Sequence, residues 1–99
     1  MARNVMKERR NDLYKAILEL KDLQECMDFF EDICALTELQ SMEQRFEVAH
    51  MLNDNKVYTE IMEKTNASTA TISRVNRMLH SGTGCLVSVL DRMKEKGNI

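Results

Sequence analysis

The chain has 99 residues, 43% of them apolar and 30% charged, with no proline, three glycines and a formal net charge of −2. That length makes one domain with a modest core, and the apolar share excludes a disordered tail as its main character. No apolar run is long enough to span a bilayer, and the first residues, Met1-Ala2-Arg3-Asn4, lead into charge and not a signal-peptide core, so a cytoplasmic protein is expected.

Residues 1–9 read as a basic, flexible arm, and residues 10–99 as a single helical domain. Without proline, and with β-branched residues scattered and not alternating, the chain reads as all-α. Leu13, Ala16, Ile17 and Leu20 fall at i, i+3, i+4 and i+7, which predicts an amphipathic helix over residues 10–20. Lys21-Asp22 then reads as a bend. In the next helix Leu23, Cys26, Met27, Phe29, Phe30, Ile33 and Cys34 are apolar around more than one face. So wide a surface needs two partners to pack against, its own domain and a second subunit.

Thr37 is placed to cap a third helix running to about Asn53, with Glu38 and Glu43 near its positive end. Its buried stripe is read as Met42, Phe46, Ala49 and Leu52, with Leu39, Val48 and Met51 beside them. Asn53-Asp54-Asn55 closes it with turn residues. Two short amphipathic segments follow, one carrying Ile61, Met62 and Thr65, the other Ile72, Val75, Met78 and Leu79. Between them Asn66 tolerates the left-handed conformation of a tight turn, and the Ser68 hydroxyl can cap the helix that begins at Thr69. This is a helix-turn-helix over about residues 57–80. Ser81-Gly82-Thr83-Gly84 ends its second helix, and Leu86, Val89, Leu90 and Met93 mark a sixth and last helix before Gly97.

The charge is segregated. Residues 19–47 hold nine acids against Lys21 and Arg45, a net −7, whereas residues 56–80 carry +2 and residues 1–10 carry +3. Charges often do no more than coat helix surfaces, but this separation suits a basic binding face with an acidic body turned away from DNA. Small side chains at the start of the second reading helix let the backbone approach base edges, and the basic residues around them can reach phosphate. The expected DNA-binding residues are Lys56, Tyr58, Thr59, Lys64, Ser68, Thr69, Ala70, Thr71, Ser73, Arg74 and Arg77. Helix capping alone would explain Ser68, but not the Ala-Thr-x-Ser-Arg combination.

No cofactor or metal site is expected. Cys26, Cys34 and Cys85 have no metal-ligand spacing and read as buried reduced thiols, and His50 and His80 as surface or interface side chains. The eight methionines read as core filler at helical spacing. No nucleophile lies beside a base and no glycine loop cradles phosphate, so an enzyme is not expected. The competing reading is a helical protein-interaction module without DNA specificity, whose acidic surface over residues 19–47 docks a partner.

Thr71-Ile72-Ser73-Arg74, following Asn66-Ala67, resembles the Thr-Val/Ile-Ser-Arg signature of bacterial helix-turn-helix proteins, and Ala70-Thr71-Ile72 with Arg74 resembles the reading head of the Trp repressor. Upstream, Leu36-Thr37, Gln44-Arg45-Phe46-Glu47-Val48-Ala49 and Met51-Leu52 resemble the YerC/YecD group of Trp-repressor-like proteins. Met62 and Asn66 depart from the general helix-turn-helix pattern, standing where a small residue and Gly are usual. The resemblance implies a six-helix Trp-repressor-like bundle, an intertwined homodimer with interlocked N-terminal helices, and a transcriptional regulator, a repressor, on two-fold symmetric double-stranded DNA. It also bears on ligands. In that family an indole lies between the recognition helix and the long helix before the reading head, held by an Arg from each, with Gly after the first Arg. Here Arg74 matches one arginine, but Val75 replaces the Gly, Met78 replaces a small Ser, and Gln44 stands at the second arginine. Arg45 comes one residue late, about 100° away around the helix. Tryptophan binding is therefore not expected.

Overall fold

The computed structural model describes residues 10–99; the expected N-terminal arm lies outside them. Among the described residues there are six helices and no strand: α1 (Asn11–Leu18), α2 (Leu23–Ile33), α3 (Leu36–Asn53), α4 (Tyr58–Thr65), α5 (Thr69–Ser81) and α6 (Cys85–Glu95). None of them is long and apolar enough to cross a membrane. The chain divides into two compact units, the first ending at Leu36 and the second running from Thr37 to Ile99.

In the first unit, α1 closes with the Glu19 and Leu20 amides reaching back to the Ala16 and Ile17 carbonyls. The Asp22 carboxylate then caps α2 by accepting the Glu25 amide at 2.8 Å, while the Glu25 side chain accepts the Lys21 amide at 3.0 Å. This reciprocal arrangement satisfies two amides at the helix entrance and fixes the bend. Neither α1 nor α2 buries a residue. Phe29 and Phe30 meet edge to face at 5.4 Å. Leu18 is 84% exposed and Leu23 77% exposed, so the end of α1 and the start of α2 carry apolar side chains on the surface.

The second unit holds the core. Val48, Ala49 and Met51 of α3, Ile61 of α4, Ala67 of the turn, Ile72 and Val75 of α5 and Leu90 of α6 form one buried cluster. Phe46, Leu52, Leu79 and Leu86 pack around it. Truncating a residue at its centre, such as Ile61 or Ile72, would cost about 2–5 kcal/mol, a large share of what so small a domain has.

Three expectations about local structure are corrected. The long helix starts at Leu36, so Thr37 lies inside its first turn and does not cap it. Of the stripe expected along it, Val48, Ala49 and Met51 are buried and Phe46 and Leu52 pack against the core, but Met42 is exposed. The helix meets the core over its C-terminal half, where α4, α5 and α6 gather, so burial there overrides the periodicity of its opening turns. Cys85 is exposed and Cys26 and Cys34 are half-buried free thiols, because Cys85 opens α6 at the surface and neither α1 nor α2 fully buries a residue.

The ends of α3 and α6 share one chain-reversing device. Asn55, at φ 61°, donates to the Leu52 carbonyl, and the next amide, Lys56, reaches the Met51 carbonyl. Gly97, at φ 74°, repeats the pattern with Lys94 and Met93. In both, a left-handed residue satisfies carbonyls that the helix leaves open. Between α5 and α6 the requirement on glycine is spatial: a Cβ on Gly82 would lie 2.6 Å from the Met78 carbonyl oxygen.

Candidate nucleic-acid interface

The turn between α4 and α5 is held from several directions. Asn66 adopts φ 61° and ψ 17° and returns its amide to the Met62 carbonyl at 2.9 Å. Thr65, only 8% exposed, donates its hydroxyl to the Ile61 carbonyl at 2.7 Å and accepts the Ala67 amide at 3.2 Å. One residue on, Ser68 caps α5 by accepting the Thr71 amide at 3.1 Å, and its hydroxyl also reaches the Thr71 hydroxyl at 3.1 Å. From α3, the Gln44 carboxamide donates to the Thr65 carbonyl at 3.0 Å. Met62, where a small residue is usual, points away from the core.

This local chemistry sets which side of α5 faces out. Ile72, Val75 and Leu79 lie at i, i+3 and i+7 on the inner side, the first two fully buried. Ala70, Ser73, Arg74 and Arg77 lie at i, i+3, i+4 and i+7 on the other side. Thr69, Ala70, Arg74 and Arg77 are exposed, and Thr71 and Ser73 are half-buried beside them. The first turn of α5 carries no acidic residue, which leaves the positive end of its dipole uncompensated. Lys56 precedes α4, and Tyr58, Thr59 and Lys64 are exposed along it.

The model of the family described as Trp repressor protein matches residues 8–94, most of the chain. The chain belongs to the Trp repressor family. It is 51% identical over 85 residues to the uncharacterized protein YerC of Bacillus subtilis (strain 168), an overlap of 86% of this chain and 82% of that protein. A TrpR-like protein from Eubacterium eligens ATCC 27750 superposes with a TM-score of 0.82 at 54% identity, covering 85% of this chain and 87% of that one. A Trp-repressor candidate from Staphylococcus aureus gives a TM-score of 0.85 at 42% identity, over 91% and 93% of the two chains. The Trp-repressor-like, YerC-group resemblance and the all-α six-helix fold are thus established. The Trp repressor family is one of DNA-binding regulators, not of enzymes.

Within this Trp-repressor fold, the residues singled out for a corepressor separate. Val75 is packed in the core, whereas Met78 is 44% exposed and lines a surface groove with Arg74, Arg77, Leu86 and Val87. Gln44 is turned toward the turn carbonyl of Thr65. The role of Gln44 was not legible beforehand, since its partner is 21 residues away and is a backbone atom with no side-chain signature. The Asp22 and Glu25 pair, by contrast, has the Asp-x-x-Glu spacing of a capping box and could have been read directly.

Proposed function

We propose that the protein is a sequence-specific DNA-binding transcriptional regulator, acting as a homodimeric repressor on a two-fold symmetric operator. The observation that carries this reading is the division of α5 into an inner apolar side and an outer side of small polar and basic residues. A helix so divided can enter the major groove with Thr69, Ala70, Thr71 and Ser73 near base edges while Arg74 and Arg77 meet phosphate or guanine. Lys56, Tyr58, Thr59 and Lys64 brace the backbone beside it, and Ser68 holds the helix entrance. In a dimer the two reading heads would lie roughly 34 Å apart, one helical turn of DNA. Leu18, Leu23 and Leu36, 84%, 77% and 69% exposed on the chain alone, support the second subunit. Repression then needs only occupation of the operator.

The test has two steps. Titration with non-specific duplex at low salt should show association that weakens steeply as salt rises, because phosphate contacts release counterions. Selection of binding sites from random duplexes should then return a palindrome. A protein indifferent to duplex DNA at low salt would instead favour the interaction-module reading.

A further inference from the structure

We propose that Gln44 is the positioning residue of the reading head, a latch that fixes the α4–α5 turn on α3 in the free protein. The inference rests on the DNA-binding reading above. Thr65 is the last residue of α4, and the chain turns left-handed at Asn66, so the Thr65 carbonyl has no following turn of helix to bond. A carbonyl in that position, beneath a residue almost wholly buried, needs a donor from elsewhere. Gln44 supplies it, at 3.0 Å from the long helix.

Thr65 gathers the rest of the turn. Its hydroxyl links Ile61 behind it to Ala67 ahead of it, and Ala67 is part of the core with Ile61, Ile72 and Val75. Holding the Thr65 carbonyl therefore fixes the point at which α5 leaves α4. The core packing of Ile72 and Val75 sets how deeply α5 sits; the latch sets where its entrance stands relative to α3. Gln44 lies outside the reading helix with its carboxamide committed to the Thr65 carbonyl, so in this proposal it acts through the turn. The consequence is a reading head assembled by the chain's own hydrogen bond and not by an added ligand.

The experiment compares wild type with Gln44→Ala and the isosteric Gln44→Glu, which keeps the volume but presents an acceptor to the carbonyl. Amide hydrogen exchange on the free proteins should show Ala67, Thr71 and Ile72 exchanging on the order of tenfold faster in both variants, with the Val48 to Met51 amides unchanged, since only the turn loses a bond. Affinity for operator and for random duplex should fall by a common factor while the salt dependence keeps its slope, because no phosphate contact is removed. Wild-type exchange rates at the turn in both variants would overturn the latch whatever the DNA result. Equal loss of protection across the core would also overturn it, by making Gln44 a general stabilising residue. If the wild type shows no salt-sensitive DNA association, the DNA-binding reading fails and the positioning role fails with it, while unaltered DNA binding in a variant whose turn has loosened refutes the positioning role alone.

Discussion

At the scale of single residues, the outer side of α5 separates into groups that discriminate sequence and groups that do not. Thr71→Ala and Ser73→Ala should each weaken binding to the preferred site by about 1–3 kcal/mol with little effect on random duplex, as expected for base contacts. Arg74→Ala and Lys64→Ala should weaken every duplex alike and lower the slope of log affinity against log salt by about 1 each. Binding curves at several salt concentrations on both kinds of duplex decide it, and an unchanged ratio of specific to random affinity in Thr71→Ala would remove Thr71 from the reading set. The Ser68 cap keeps its bond to the Thr71 amide in that variant, so the helix entrance survives the change. Residue identity also bears on ligands. Val75 occupies core volume where the resembled repressor has a Gly, Met78 stands on the surface where it has a small Ser, and Gln44 is committed to the turn. Millimolar tryptophan should therefore give no saturable heat in calorimetry and leave DNA affinity unchanged; a tryptophan-dependent gain in operator binding would overturn that expectation.

At the scale of elements, α3 and α6 are tied at their ends by charge. Asp54 accepts Lys94 at 3.1 Å and lies 3.3 Å from the His50 Nε2, and Asn53 donates to Asp91 at 3.1 Å. The Lys94 hydrogen bond, helped by the charges of Lys94, His50 and Lys56, holds the Asp54 carboxyl below its ordinary value of 3.8. Because the folded state lowers this pKa, it favours the carboxylate, and the contribution is present above about pH 4 and lost as pH falls through the lowered value. Asp54→Asn should accordingly reduce the denaturation midpoint at neutral pH and make little difference at strongly acid pH; a difference that persists unchanged into acid would assign the effect to packing. Elements were also the scale most legible in the sequence. Apolar spacing marked all six helices, and Asn66 and Ser68 announced the turn because left-handed backbone and helix capping each need particular side chains. What escaped depends on distant partners. The exposure of Met42 follows from the core meeting α3 only over its later turns, and the Gln44 bond reaches a backbone atom of Thr65 21 residues away, neither of which a local pattern carries.

At the scale of the whole molecule, the first unit exposes what a folded monomer would be expected to cover. Leu18 and Leu23 are mostly open, Ile33 and Leu36 more than half exposed and Met27 about half, and α1 and α2 fully bury no residue. Fully burying one such side chain is worth about 1.5–3 kcal/mol, so a partner that covers several of them contributes on the scale of the whole stability of a small domain. In the proposed dimer, association and folding would therefore be one equilibrium, and the melting temperature should rise with protein concentration. Leu23→Glu makes the argument sharper. An exposed leucine on a monomer can be replaced by glutamate at a cost within about 0.5 kcal/mol, whereas on a buried interface the same change leaves an unpaired charge in an apolar contact. The variant should sediment as a smaller species and melt well below wild type, with a loss that grows on dilution. A wild-type chain of monomer mass, with a melting curve independent of concentration and indifferent to Leu23→Glu, would require both reading heads of the operator to be engaged by separate molecules, and the two-fold symmetric mode of action would have to be abandoned.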